Sequence, residues 1–288
     1  MEEKNTFYPN VWQSIGLTAL GFLFTLLYGA LIGFIYGFIA GFRGTEFVFD
    51  PANNFLQYFL TYILGSILVL GGLSFRASKK KGVSLADIKG NSGNEGILYL
   101  HVFFLMAGLS VLVSELDNIL QTFVNKSDWY LGLMEGLGGQ NVILVFLATC
   151  VVAPVFEELF FRGLILRGLL KNIKPWPAIL LSAFLFAVFH FNIWQGLGAF
   201  ILGIMMGWVL YKTGSLYLAI FAHFVNNFIV LLGGQNIINI PGYTQPSATG
   251  FQPFWFNIIG LVLFVAGLVL IRNKSDNSID ISSPVVDQ

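Results

Sequence analysis

Two adjacent glutamates, Glu157 and Glu158, stand inside a long apolar stretch that also carries Arg162. Ionisable groups are costly in an apolar medium, so within a membrane segment they mark function by default. On a helix, Glu158 and Arg162 are i and i+4 and share a face, as an ion pair requires. Glu157 is turned about 100° from its neighbour. Arg162 is therefore expected to neutralise Glu158 and leave Glu157 pointing elsewhere, available for proton transfer. Further along, Phe186 and His190 share a face, as do His223 and Asn227, with Asn226 close by. Carboxylates and imidazoles are the side chains that most often move protons in catalysis. A Glu–Arg pair alone is more often helix packing, and a lone histidine is usually a satisfied contact. His101, with no partner at helical spacing, reads as structural. A glutamate pair, an arginine, two histidines and an asparagine in neighbouring apolar stretches are harder to explain as packing. Pro154, one turn before Glu157, removes a main-chain donor; it is expected to kink the helix, free the carbonyl of Cys150 and help water reach the glutamates.

The elements that would position these residues are apolar. Of 288 residues, 56% are hydrophobic and 10% charged, against about 25% charged in a soluble domain. Eight apolar segments run roughly over 14–42, 55–75, 97–116, 141–166, 176–192, 195–211, 215–232 and 252–271. Blocks of about 20 such residues span a bilayer. The expected fold is all-α: a polytopic membrane protein of about eight transmembrane helices enclosing an intramembrane polar cavity. With eight spans, twelve lysines and arginines fall on the side that holds both termini, and only Arg43 and Lys126 on the other. Positive charge marks the cytoplasmic side, so both termini are expected there, in the cell membrane. Zero net charge argues against nucleic acid as a partner, and the single cysteine, Cys150, permits no internal disulfide. Residues 76–96 read as a basic cytoplasmic loop, 117–140 as an interfacial helix, 233–251 as an outer loop and 276–288 as a disordered cytoplasmic tail. Gly29, Gly33, Gly37 and Gly41 form a groove on one helix face, expected to pack within the molecule, with a homodimer as the second reading; Gly203 and Gly207 repeat the pattern once.

Written as motifs, Glu157-Glu158-Leu-Phe-Phe-Arg162 fits EExxxR, Phe186-Ala-Val-Phe-His190 fits FxxxH, and His223-Phe-Val-Asn-Asn227 fits HxxxN. In order and separation they resemble the CPBP intramembrane proteases, which include the type II CAAX prenyl endopeptidases and bacteriocin-immunity relatives. The likeness covers roughly residues 141–232 and makes them the expected catalytic core. Residues 1–140 supply N-terminal transmembrane helices and loops, and 233–275 an outer loop and the last transmembrane helix. The resemblance implies a glutamate-dependent endopeptidase that needs no metal or other cofactor. Glu157 would be the general base, assisted by His190; His223 and Asn227 would stabilise the oxyanion; Glu158, Arg162 and Phe186 would support the site. The physics agrees, since a carboxylate removed from water is a better base near neutral pH and donors in a dry site stabilise developing charge strongly. The implied partner is a peptide or protein substrate at the membrane, of CAAX type or a peptide precursor. A zinc enzyme using the same Glu and His side chains is a rival, although no HExxH is present. A non-proteolytic scaffold or bacteriocin self-immunity protein of the same fold is another. A transporter fits less well, because the ionisable groups cluster and no internal repeat is visible.

Overall fold

The computed structural model describes residues 7–44, 63–79, 95–128, 130–132, 141–235 and 237–274. Among them the fold is helical, and each of the eight apolar segments carries a helix. These are α1 (Val11–Phe42), α2 (Ile63–Ala77), α3 (Glu95–Gln121), α4 (Val142–Asn172), α5 (Pro175–Phe189), α6 (Ile193–Thr213), α7 (Leu216–Gly234) and α8 (Phe254–Lys274). Six are long and apolar enough to cross a membrane; α2 and α5 are shorter. The chain is thus a multi-pass membrane protein, with six clear spans and two shorter apolar helices among the described residues, not eight clear spans. The tail 276–288, most of the basic loop 76–96 and residues 133–140 of the expected interfacial helix lie outside the described residues; the first part of that link, to Gln121, continues α3.

Local chemistry sets the helix ends. Asn10 and Gln13 cap α1 reciprocally, each side chain accepting from the other's main-chain N–H. Asn192 and Ser215 cap α6 and α7. Gly214, at φ +69°, ends α6 in the left-handed conformation that only glycine adopts cheaply, so α7 starts almost at once. Pro175 opens α5 at its first position. The links around the expected core are therefore tight.

Helix α7 runs antiparallel along α4: Asn227 meets Thr149, His223 meets Glu158, and Leu216 meets Gly163. Helix α5 lies against α6, where a Cβ on Gly203 would stand 3.2 Å from Ala183 and one on Gly207 3.2 Å from Ile179. This glycine pair packs within the molecule, as expected. On the longer stripe of α1, nothing among the described residues lies within 4 Å of a Cβ on Gly29, Gly33 or Gly41. The close glycine crossing is instead between α3 and α8, where a Cβ on Gly108 would collide with the backbone of Gly260 and Phe264, and one on Gly267 with Leu105. Gly260 and Gly267 are seven residues apart on one face of α8, the first against Gly108 and Val111 and the second against Leu105.

The two ends of the bundle are stapled. Asn172, at the end of α4, donates to the Phe7 carbonyl at 2.8 Å, and Lys171 lies over the Phe7 ring. The loop before α8 is fixed to α3 through Glu115, whose partly buried carboxylate accepts from Asn118, Asn257 and the Gln252 main chain. Tyr243 of that loop bonds Ser110, and burial pushes its phenol above the usual range, so it stays an O–H. Gly108→Ala is expected to cost about 1–3 kcal/mol through overpacking, whereas Gly33→Ala is expected to be neutral or slightly stabilising. Thermal unfolding in detergent micelles compares the two; equal losses would contradict the packing described.

Candidate active site

Helix α4 changes pitch around the glutamates. Phe146–Val152 and Leu159–Leu166 wind as π-helix, with the α-helical turn Ala153–Glu158 between them. Such wide turns recur at functional sites. Here Pro154 fixes their consequence. The Ala153 N–H bonds the Ala148 carbonyl, five residues back. One residue on, Pro154 has no N–H to give, and its partner in that register would be the Thr149 carbonyl. Asn227 of α7 takes that place, its Nδ2 donating to Thr149 O at 2.8 Å. The carbonyl expected to be freed was that of Cys150. The wider pitch moves the vacancy back by one residue.

The glutamates meet α7 through His223. Glu158 is fully buried, and its Oε1 accepts from Arg162 Nη1 and from His223 Nδ1, each at 2.9 Å. Arg162 is also fully buried. Its Nη2 donates to the Gly203 carbonyl of α6 at 3.0 Å, and its guanidinium lies 4.5 Å from the centre of the Phe186 ring of α5. One cation thus ties α4 to itself, to α5 and to α6. Glu157 is buried too, on another face as its helical offset requires, and its Oε2 stands 3.9 Å from His223 Nε2. That gap is too long for a direct hydrogen bond. Apo catalytic contacts are often loose in this way and tighten on binding.

Hydrogen bonding assigns the rings. A carboxylate and a carbonyl only accept, so a nitrogen facing one must carry its proton. His223 therefore donates from Nδ1 to Glu158. His190, at the end of α5, donates from Nδ1 to the Phe186 carbonyl at 2.9 Å. With Nδ1 carrying the proton, Nε2 of a singly protonated ring is the acceptor. Phe186 is the shared wall, its ring edge-on to those of His190 and His223 at 4.7 and 5.7 Å. Asn227 is held at both ends, Oδ1 accepting from Asn226 Nδ2 at 3.1 Å while Nδ2 serves Thr149.

The structure thus joins Glu157, Glu158, Arg162, Phe186, His190 and His223 through one set of contacts, and places Asn227 one turn beyond His223 on α7. Arg162 Nε and Glu158 Oε2 have no hydrogen-bond partner among the described residues, so this charge pair is not fully compensated. Among the same residues, no group of three or more His, Cys, Asp or Glu side chains is gathered closely enough to hold a metal ion. Sequence reasoning missed the carbonyls of Thr149 and Gly203. The Gly203–Gly207 pair was a signal for close helix approach, but not for a main-chain acceptor aimed at Arg162.

Residues 139–229, about a third of the chain, match the family model described as Type II CAAX prenyl endopeptidase Rce1-like. The span runs from just before α4 to beyond Asn227, so all three motifs lie within it. The uncharacterized protein YyaK of Bacillus subtilis is 28% identical over 174 residues, covering 54% of this chain and 57% of that protein. YdiL of the same organism, named as a candidate membrane peptidase, is 26% identical over 114 residues, covering 39% and 46%. The chain thus spans about half the length of the curated relatives it matches. No solved structure matches. The resemblance read from the motifs holds over this segment.

Removing one partner of a buried ion pair leaves an uncompensated charge, at a cost of about 3–5 kcal/mol. Arg162→Leu is expected to lose that much in micellar thermal unfolding. Arg162→Lys is expected to fall between it and the wild type, since an ammonium lacks the fork that reaches both Glu158 and Gly203. A wild-type melting profile for Arg162→Leu would contradict the site as described.

Proposed function

We propose that the chain is an intramembrane endopeptidase that hydrolyses peptide bonds with a water activated by Glu157. The observation that carries this reading is the arrangement at His223: one ring nitrogen is held by the buried Glu158–Arg162 pair, and the other faces Glu157 at 3.9 Å. A carboxylate for proton transfer stands beside an imidazole that a second carboxylate orients, in an apolar surrounding that strengthens both. In this reading Glu157 accepts a proton from water as the water oxygen attacks the peptide carbonyl carbon. The π electrons move to the carbonyl oxygen, which is met by the second N–H of Asn227 and by Nε2–H of His223, a ring that takes its second proton from bulk water before the attack and keeps it through the cycle. Collapse of the tetrahedral species expels the amine, which takes its proton from Glu157. The Nε2 of His190 accepts from the attacking water and orients it. No metal or other cofactor is assigned a role.

The setting narrows the substrate. Glu157 lies roughly 20 Å from each end of α4 at about 1.5 Å per residue, so the scissile bond has to reach the middle of the bundle. A cavity of about 250 Å³ opens between the start of α4 and the end of α7, lined only by apolar side chains, among them Ile143, Phe146, Phe228 and Leu231. It lies one turn beyond the Asn227–Thr149 contact. A hydrophobic peptide or protein tail already in the bilayer suits this setting, and the CAAX-type ends named in the matched family are one such class. The excess of basic residues at the ends of α2, α4, α6 and α8 puts both termini in the cytoplasm in this account.

The test is cleavage of tagged hydrophobic peptides and CAAX-type tails by the protein in liposomes. Glu157→Gln is expected to cut at least about a hundredfold more slowly, and Asn227→Ala to lose a comparable factor, with wild-type cleavage unchanged by a strong chelator. Wild-type rates for Glu157→Gln would overturn the mechanism. Activity lost to the chelator and restored by zinc would establish a metalloenzyme instead. No cleavage at all, with both variants fully functional in cells, would favour a scaffold or immunity protein.

A further inference from the structure

Asn227 serves the proposed reaction only if it offers an N–H. A carboxamide has two ends of nearly equal size, one that donates and one that accepts, and its terminal torsion is broad and roughly two-fold. Turned the other way, it would present an oxygen to a developing oxyanion. What fixes the turn here is the Thr149 carbonyl, which only accepts and so demands Nδ2 on its side. Asn226 does the converse at the other end, donating to Oδ1. The Thr149 hydroxyl is turned back to the Val145 carbonyl at 2.8 Å.

A carbonyl inside a helix normally has a main-chain donor. Thr149 O would receive the N–H of residue 153 in an α-helix or of residue 154 in a π-helix. The first is spent on Ala148, because this stretch is wound wide. The second does not exist, because residue 154 is proline. We propose that Pro154 is a positioning residue for Asn227: by withholding a main-chain N–H it reserves the Thr149 carbonyl for the Asn227 amide and sets which end of that amide is presented to substrate. The consequence for rate rests on the endopeptidase reading; the geometry does not.

The experiment is Pro154→Ala in the full-length protein, which gives residue 154 the N–H that the wide register directs at the Thr149 carbonyl. Protein labelled with 15N only in asparagine, in micelles, reports the side-chain amide of Asn227, identified by its loss in Asn227→Ala. In Pro154→Ala that amide is expected to shift and to exchange with solvent about tenfold faster. In the liposome assay kcat is expected to fall about tenfold with KM unchanged, and Pro154→Ala is expected to cause no further loss when added to Asn227→Ala. An Asn227 amide unmoved by Pro154→Ala would overturn the proposal, as would losses that multiply in the double variant. Should Pro154→Ala not fold, Pro154→Val restores the same N–H with more bulk. If the wild type cleaves nothing, the amide measurement still decides the geometry, so failure of the peptidase reading and failure of this one are separable.

Discussion

A guanidinium with no access to water has to find its counter-charge and its acceptors within the bundle. Arg162 finds them on three helices: Glu158 on its own, the Gly203 carbonyl on α6 and the Phe186 ring on α5. A buried pair gains little stability over apolar packing of the same volume, yet losing one partner is costly. Its value lies in what it orders. The same Glu158 oxygen that receives Arg162 also receives His223 from α7, so balancing one charge fixes the orientation of a ring on a fourth helix.

The rest of the site follows from that shared oxygen. Because His223 spends Nδ1 on Glu158, its Nε2 is directed at Glu157. Because Glu157 and Glu158 are adjacent, they cannot share a face, and the one not bonded to Arg162 faces Nε2 of His223. Small residues let this happen at close range: Gly203 brings the α6 backbone within reach of the guanidinium, and a Cβ there would press on Nη2 at 2.9 Å. Proline does the complementary work, leaving a carbonyl open where α7 has an amide to fill it. Polar groups in an apolar interior are tolerated where nearly all have partners, and this cluster reaches that state by drawing on main-chain oxygens as well as side chains.

Much of this was legible in the sequence, and the parts that were not share a cause. Helical spacing within one segment shows faces, so the Glu158–Arg162 pair, the separate direction of Glu157 and the common faces of Phe186 with His190 and His223 with Asn227 could all be read. Contacts between helices distant in sequence carry no such signal; the His223–Glu158 bond joins residues 65 apart. Pitch was also invisible. Assuming a regular α-helix assigned the proline's vacancy to Cys150, whereas the wide turns give it to Thr149. Gly29, Gly33 and Gly41 met a spacing rule without a neighbour among the described residues, while the close crossing that sets Gly108 on Gly260 and Gly267 on Leu105 joins helices distant in sequence. Apolar composition found all eight segments, but length separates six clear spans from the shorter α2 and α5.

The orientation of His223 toward Glu157 depends on which of its ring nitrogens carries the proton. The chain has three histidines, so 15N spectra of histidine-labelled protein in micelles contain three rings, assignable by single substitutions. At a pH where the rings are neutral, His223 should be the Nδ1–H tautomer, and its Nδ1 signal should shift in Glu158→Gln. A resting His223 protonated at Nε2, with Nδ1 bare and indifferent to Glu158, would contradict the claim that the buried pair turns this ring toward Glu157.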